Sequence, residues 1–193
     1  MEFTIGLIYC SVRTERRGIK VARFLEQKLV ERGIKVHFID TLEYRLPLLD
    51  KMYREFEPGK APEAMQKLSA LLNESDGFLV VTGEYNHSVP PALKNLLDHF
   101  YSEYRHKPSA IASYSKGSFG GVRAAVHLRV IMGELGSSSI PTMLPFQSID
   151  SVFDEALVPI NERILSSTKR FLDELAWYTE AFKTQRGKGL PAK

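Results

Sequence analysis

The chain of 193 residues contains a single cysteine, Cys10, so no disulfide can close within it. This suits a reducing compartment. The histidines at 37, 87, 99, 106 and 127 show no metal-ligand spacing with that thiol, which removes the common zinc arrangements and leaves no metal site to expect. Long apolar runs are missing too: none reaches the roughly 18 residues that a membrane-spanning helix needs. The N-terminus lacks the basic, apolar and small-residue regions of a signal peptide. These absences predict a soluble cytoplasmic protein with no membrane partner. Charge of one sign does not dominate, since 26 Lys and Arg face 23 Asp and Glu for a net charge of +3. A nucleic-acid binder would concentrate a basic face, and the nearest approach is Arg13, Arg16, Arg17 and Lys20. No nucleic-acid partner is therefore expected. Three motifs are absent as well: the G-x-G-x-x-G of dinucleotide folds, the G-x-x-x-x-G-K-[ST] of P-loops and the G-x-S-x-G of serine hydrolases.

What remains is an alternation of short apolar runs and helical patterns, with 44% hydrophobic residues to build a full core. Residues 3–9, 35–40, 77–82, 108–114 and 138–144 read as strands, the third and fourth being continuous enough to be buried on both faces. Helices are expected after residue 18, with Val21, Phe24, Leu25, Leu29 and Val30 on the buried face, and over 62–73, 91–101, 121–135 and 161–183. Residues 41–60, with Pro47, Pro58 and Gly59, form a long excursion. The alternation predicts an α/β fold: a doubly wound five-stranded parallel sheet in the order 2-1-3-4-5, with helices on both faces. A single domain over 1–186 and a mobile tail over 187–193 complete this reading.

In open parallel sheets ligands sit beyond the carboxyl ends of the strands. Three loops reach that edge, and each has unusual chemistry. The first, Cys10 to Gly18, ends at a helix start, whose free N–H groups and partial positive charge suit a phosphate. Ser11 and Thr14 add hydroxyls, and an arginine can grip phosphate oxygens with two donors. A terminal monophosphate fits better than a pyrophosphate, and a solvated basic turn explains the same residues. The loop after the third strand gathers a carboxylate, an aromatic ring and an amide in Glu84, Tyr85 and Asn86, suited to a flat heteroaromatic ligand or to a simple turn. The loop after the fourth strand, Ser115 to Gly121, holds three glycines that permit close backbone approach, or plain punctuation before a helix. Together at one edge they favour a ligand site.

These residues carry a resemblance. The Ser11-Val12-Arg13 loop, Glu84-Tyr85-Asn86 followed by Pro91-Ala92-Leu93-Lys94-Asn95, Ser115 through Gly121, Leu128-Arg129, Leu135-Gly136 and Pro141 follow the pattern of the NAD(P)H-dependent FMN reductases. That family comprises flavodoxin-like quinone, azo-compound and chromate reductases, and the resemblance spans residues 3 to 145. It implies non-covalent FMN, with NADPH or NADH as co-substrate. Ser11, Arg13 and Arg17 would serve the phosphate, although Arg16 could equally face it. Glu84, Tyr85 and Asn86 would border the isoalloxazine, with Ser115, Gly117, Gly120 and Gly121 along its other side. Two departures stand out: Cys10 occupies a position where the family commonly has glycine, and Gly83 one where it commonly has proline.

The implied reaction is hydride transfer from the nicotinamide to the flavin, then reduction of a small acceptor in the same space by a ping-pong order. The acceptor would be a quinone, a free flavin, an azo compound or an oxidised metal ion. The cofactor carries this chemistry, so no protein residue is expected to act as a catalytic acid, base or nucleophile. The readings this must beat are a flavodoxin-type electron carrier and an FMN-bound redox-sensing interaction protein. Such carriers are commonly acidic, against a sequence pI near 8.9 here. The resemblance implies a homodimer or homotetramer. The apolar surface of Leu93, Leu96, Leu97, Phe100, Tyr101 and Tyr104 offers area for a partner to cover, unless the 41–60 excursion covers it.

Overall fold

The computed structural model describes residues 2–190. Its five strands are β1 (Thr4–Tyr9), β2 (Lys35–Asp40), β3 (Gly77–Gly83), β4 (Pro108–Tyr114) and β5 (Ser138–Phe146). They form one parallel sheet in the order β2-β1-β3-β4-β5, as expected. Five helices connect or follow them: α1 (Ile19–Val30), α2 (Glu63–Glu74), α3 (Pro91–Asp98), α4 (Val122–Glu134) and α5 (Glu162–Gly187). Every residue of β3 and β4 is buried, which is why both read as continuous apolar or small-residue runs rather than alternating ones. Successive residues of β3 point to opposite faces. Gly77 faces Thr179 of α5, and Phe78 packs edge-on against Tyr104 at 5.3 Å. Arg32, just past α1, pairs with Asp173 of α5 at 3.6 Å, so these two helices share a face.

One residue expected in the core is exposed, and the ends of α3, β5 and α5 differ from expectation for local reasons. Val30 is 58% exposed and not in the core. At roughly 100° per residue it lies on the side of α1 opposite Val21, while Phe24, Leu25 and Leu29 stay close to it. α3 stops at Asp98 instead of continuing to Tyr101. The Glu103 carboxylate accepts the Tyr101 N–H and the Ser102 hydroxyl, drawing this segment into a separate 3₁₀ turn over Ser102–Tyr104. β5 runs on to Phe146, with a register shift opposite Ser109 and Ile111. Arg129 of α4 donates to the carbonyls of Ile140 and Pro141 at that irregularity. α5 begins one residue later than expected, with Asn161 as its cap accepting the Arg163 N–H, and continues through Gly187. Of the tail expected over 187–193, residues 191–193 lie outside the described residues.

The excursion over 41–60 covers the apolar surface around α3, so that surface gives no sign of a partner. Leu93, Leu96, Leu97, Phe100 and Tyr104 are buried within the chain. The Tyr53 ring lies 5.7 Å from Phe100, its N–H donates to the His99 carbonyl, and the Arg54 guanidinium sits over Tyr101. Asn95 pins the entry to this segment: its Oδ1 accepts the Leu49 N–H, and its Nδ2 donates to the carbonyls of Pro47 and, more weakly, Leu46. A net contribution near 1 kcal/mol per well-formed bond sets the expectation. Asn95→Ala should cost about 1–2 kcal/mol in urea unfolding and speed proteolytic cleavage within residues 41–60.

Candidate functional site

The parallel sheet brings the three loops to one edge, and each is held there by side chains drawn from distant parts of the chain. In the first loop, Arg16 turns inward. Its guanidinium meets both carboxylate oxygens of Asp40 at 2.5 Å, its Nε donates to the Ser11 carbonyl at 3.0 Å, and it stacks over the Tyr9 ring. Asp40 is buried at the end of β2, so this pair ties the loop to the sheet's second strand. Arg17 turns the other way, towards Glu15 and Asp150. Of the two arginines the sequence left open, Arg17 faces the pocket and Arg16 serves the fold. Ser11 is buried, and its Oγ accepts the Arg13 N–H in a long 3.4 Å contact.

The loop after β3 closes as a tight turn. Tyr85 and Ser88 exchange two backbone hydrogen bonds of 3.0 Å, with Asn86 at φ 48° and His87 at φ 66° between them. Two central residues in the left-handed region define a type I′ turn, and asparagine tolerates that region better than most residues. Asn86 and His87 are thereby exposed at the tip. Glu84, just before the turn, reaches across to α4. It accepts the N–H groups of Arg123 (3.1 Å) and Ala124 (3.3 Å) and pairs with the Arg123 guanidinium at 3.0 Å. The helix-capping residue Gly121 has no side chain to do this, so a carboxylate from another loop caps α4. Burial pushes the Glu84 carboxyl upward. Arg123 and the two backbone donors outweigh it and hold the group below its ordinary value.

The loop after β4 starts at Tyr114, whose ring lies between two glycines. A Cβ built on Gly18 would stand 2.0 Å from Tyr114 Cζ, and one on Gly83 would stand 3.1 Å from it. Any larger residue at Gly18 would displace the ring. Burial raises the Tyr114 phenol well above its ordinary range and pushes Tyr9 up to about 12, so both remain neutral hydroxyls. Gly121, at φ 77°, makes the turn into α4 with its α-carbon against the Tyr114 backbone, a place no other residue could take without moving that strand end. The Gly120 carbonyl accepts from Ser113, and the Gly117 carbonyl accepts from Ser115 Oγ and from the Ser148 N–H.

A cavity of about 290 Å³ opens where the three loops meet, lined by Ser11, Arg13, Arg17, Tyr85, Tyr114 and Lys116 among others. Glu84 and Ser115 also reach it, whereas Asn86, Gly117, Gly120 and Gly121 do not line it. Tyr114, Lys116, Glu15 and Ile149 join the lining without having been singled out as site residues. An aromatic residue closing an otherwise small-residue strand was the available signal for Tyr114; Arg123 had none at 39 residues from Glu84. Arg13 and Lys116 have no carboxylate partner among the described residues, and the Arg13 guanidinium lies 5.9 Å from the centre of the Tyr85 ring. A larger groove, about 790 Å³, runs between β5 and the start of α5, but none of the three loops lines it.

The fold is that of flavodoxin-like proteins. It matches an NAD(P)H:(acceptor) oxidoreductase of Paracoccus denitrificans with a TM-score of 0.76 at 22% identity, covering 93% of this chain and 98% of that one. A flavodoxin of Pseudomonas aeruginosa aligns with a TM-score of 0.53 at 18% identity, over 93% and 99% of the two chains. The model of the NADPH-dependent FMN reductase family matches residues 3–149, and the chain belongs to that family. It is similar to a quinone reductase of Pseudomonas putida, with 28% identity over 90% of this chain and 93% of that protein. An NAD(P)H-dependent FMN reductase of Schizosaccharomyces pombe is 45% identical over 72% of this chain and 70% of its own length.

The bridge from Glu84 to α4 has a measurable consequence. Glu84→Gln should lower stability at neutral pH by about 1–2 kcal/mol, because the amide keeps an acceptor for α4 but loses the charge that strengthens its bonds to Arg123 and the helix start. A depressed carboxyl pKa contributes stability above its ordinary titration range and loses it as pH falls through the folded value. The gap between wild type and Glu84→Gln in urea unfolding should therefore hold near neutral pH and narrow as pH falls below the ordinary carboxylate range.

Proposed function

We propose that this pocket holds FMN and that the chain uses it to pass electrons from NADPH or NADH to a small acceptor such as a quinone, a free flavin, an azo compound or an oxidised metal ion. The observation that carries the reading is the meeting of Arg13 and Lys116, two cations without a carboxylate partner among the described residues, with the hydroxyls of Ser11 and Ser115 and the rings of Tyr85 and Tyr114. Cations and hydroxyls suit a phosphate monoester, and aromatic walls suit a flat ring system. We assign Ser11, Arg13 and Arg17 to the phosphate. The Glu84–Tyr85–Asn86 loop borders the ring through Tyr85 and its backbone, while Glu84 holds that loop against α4. Ser115 takes the other side, and Gly117, Gly120 and Gly121 shape the loop behind it.

When bound, FMN supplies a site that accepts a hydride and afterwards gives electrons to the acceptor. The side chains bind and orient; none is needed as acid, base or nucleophile. A ping-pong order, in which the nicotinamide leaves before the acceptor enters the same space, is part of this reading. We place the reaction in the cytoplasm, in line with the lone buried thiol. A homodimer or homotetramer is part of the same reading, and the exposed Phe119, Val126 and Val130 on and before α4 offer apolar area for it.

The purified protein should be yellow, or become so on adding FMN, and NADPH or NADH should bleach it under anaerobic conditions. A colourless protein that cannot be reconstituted overturns the flavin reading, and a yellow protein that neither nicotinamide bleaches makes it an electron carrier instead. Arg13→Ala should weaken FMN binding about tenfold, as expected for one lost charge-assisted contact, with little change in kcat at saturating FMN. Fluorescence quenching on titration with FMN measures it.

A further inference from the structure

β1 ends at Tyr9, and the next residue still donates its N–H to the Val81 carbonyl of β3 at 3.3 Å. Two residues further along β3, the Gly83 N–H donates to Cys10 Sγ at 3.2 Å. A side-chain sulfur thus continues the ladder where the backbone of β1 turns away. Cys10 is fully buried, and its Sγ also lies 3.8 Å from the Tyr114 hydroxyl. Tyr114 is held against Gly83 and lines the pocket next to Tyr85. One contact therefore links the end of β1, the end of β3 and the aromatic wall after β4.

The requirement is mutual. A glycine at position 10 would leave the buried Gly83 N–H without its acceptor. A proline at position 83 has no N–H, and its ring carbon would stand in the line from that nitrogen to the sulfur. The ring would also press on Tyr114, since even a single Cβ at Gly83 reaches within 3.1 Å of it. Positions 10 and 83 are thus the two ends of one buried hydrogen bond, and either change removes it.

We propose that Cys10 and Gly83 are a coupled pair that positions the Gly83–Glu84–Tyr85 wall of the pocket, with Cys10 a positioning residue. Its effect on the cofactor rests on the flavin reading above; the coupling itself does not. The test is a cycle of wild type, Cys10→Gly, Gly83→Pro and the double variant, each measured for the Tm of the flavin-free protein and for the FMN Kd. Each single change should lower Tm by about 2–6 °C. Each should also weaken FMN about three- to tenfold. The double variant should lose clearly less than the sum in both. Additive losses overturn the proposal.

Cys10→Ser, which keeps an acceptor, should stay closer to wild type than Cys10→Ala in both readouts; equal loss in the two overturns the proposal even if Gly83→Pro fails to fold. Phe171→Leu in α5, buried away from the pocket, should lower Tm without moving the Kd. A Kd loss in Phe171→Leu as large as that in Cys10→Ala would reduce Cys10 to general stability and overturn its positioning role. If the wild type binds no FMN, the flavin reading fails, and the Tm cycle alone decides the pair.

Discussion

A parallel ladder cannot be closed by a two-residue turn, and this constraint organises the whole molecule. Each strand must be followed by a crossover long enough to return to the starting edge, and helices are the compact way to do so. Those helices bury both faces, which is why β3 and β4 have no exposed face. With all strands pointing one way, the loops after β1, β3 and β4 emerge at the same edge. The chain reverses its direction of winding beside β1 and β3, and that is where the pocket opens.

Bringing loops to one edge does not by itself hold them in position, and the chain does that with contacts that cross from loop to loop. Arg16 fastens the first loop to Asp40 at the end of β2. Glu84 fastens the second to the start of α4, and the third is fastened to the segment after β5 through Ser115, Gly117, Ser148 and Ile149. Tyr114 fills the space between them. Charged groups used in this way are already satisfied inside the protein. Arg13 and Lys116 are the cations at the pocket that no carboxylate pairs among the described residues, and so they remain available to a ligand. The contrast between charges paired inside the protein and charges at the pocket with no carboxylate partner among the described residues is the main electrostatic fact about the site.

The lone cysteine belongs with the fastening groups. Burial raises its pKa, in contrast to the lowering expected of a reactive thiol near a helix start. Its sulfur acts here as an acceptor with a defined donor. Its contact joins the ends of β1 and β3 beside the pocket.

The amino-acid sequence by itself determined the fold class, the strand order and the three loops that matter, because apolar periodicity and strand alternation are local and a parallel sheet has few ways to close. It also carried the family, through Glu84-Tyr85-Asn86 and the segments around it. It missed what depends on contacts between residues far apart. Whether Arg16 or Arg17 faces the pocket turns on Asp40, 24 residues beyond Arg16. That Glu84 also caps α4 has no signal near it in sequence, because the N–H groups it accepts lie 39 and 40 residues further on. The apolar surface of α3 resembled an interface until the 41–60 excursion was seen to lie over it. Cys10 and Gly83, 73 residues apart, looked like two unrelated departures. Only the tertiary structure places the sulfur against the N–H, because hydrogen-bond partners are chosen by proximity in space and the strand order decides which distant residues become neighbours.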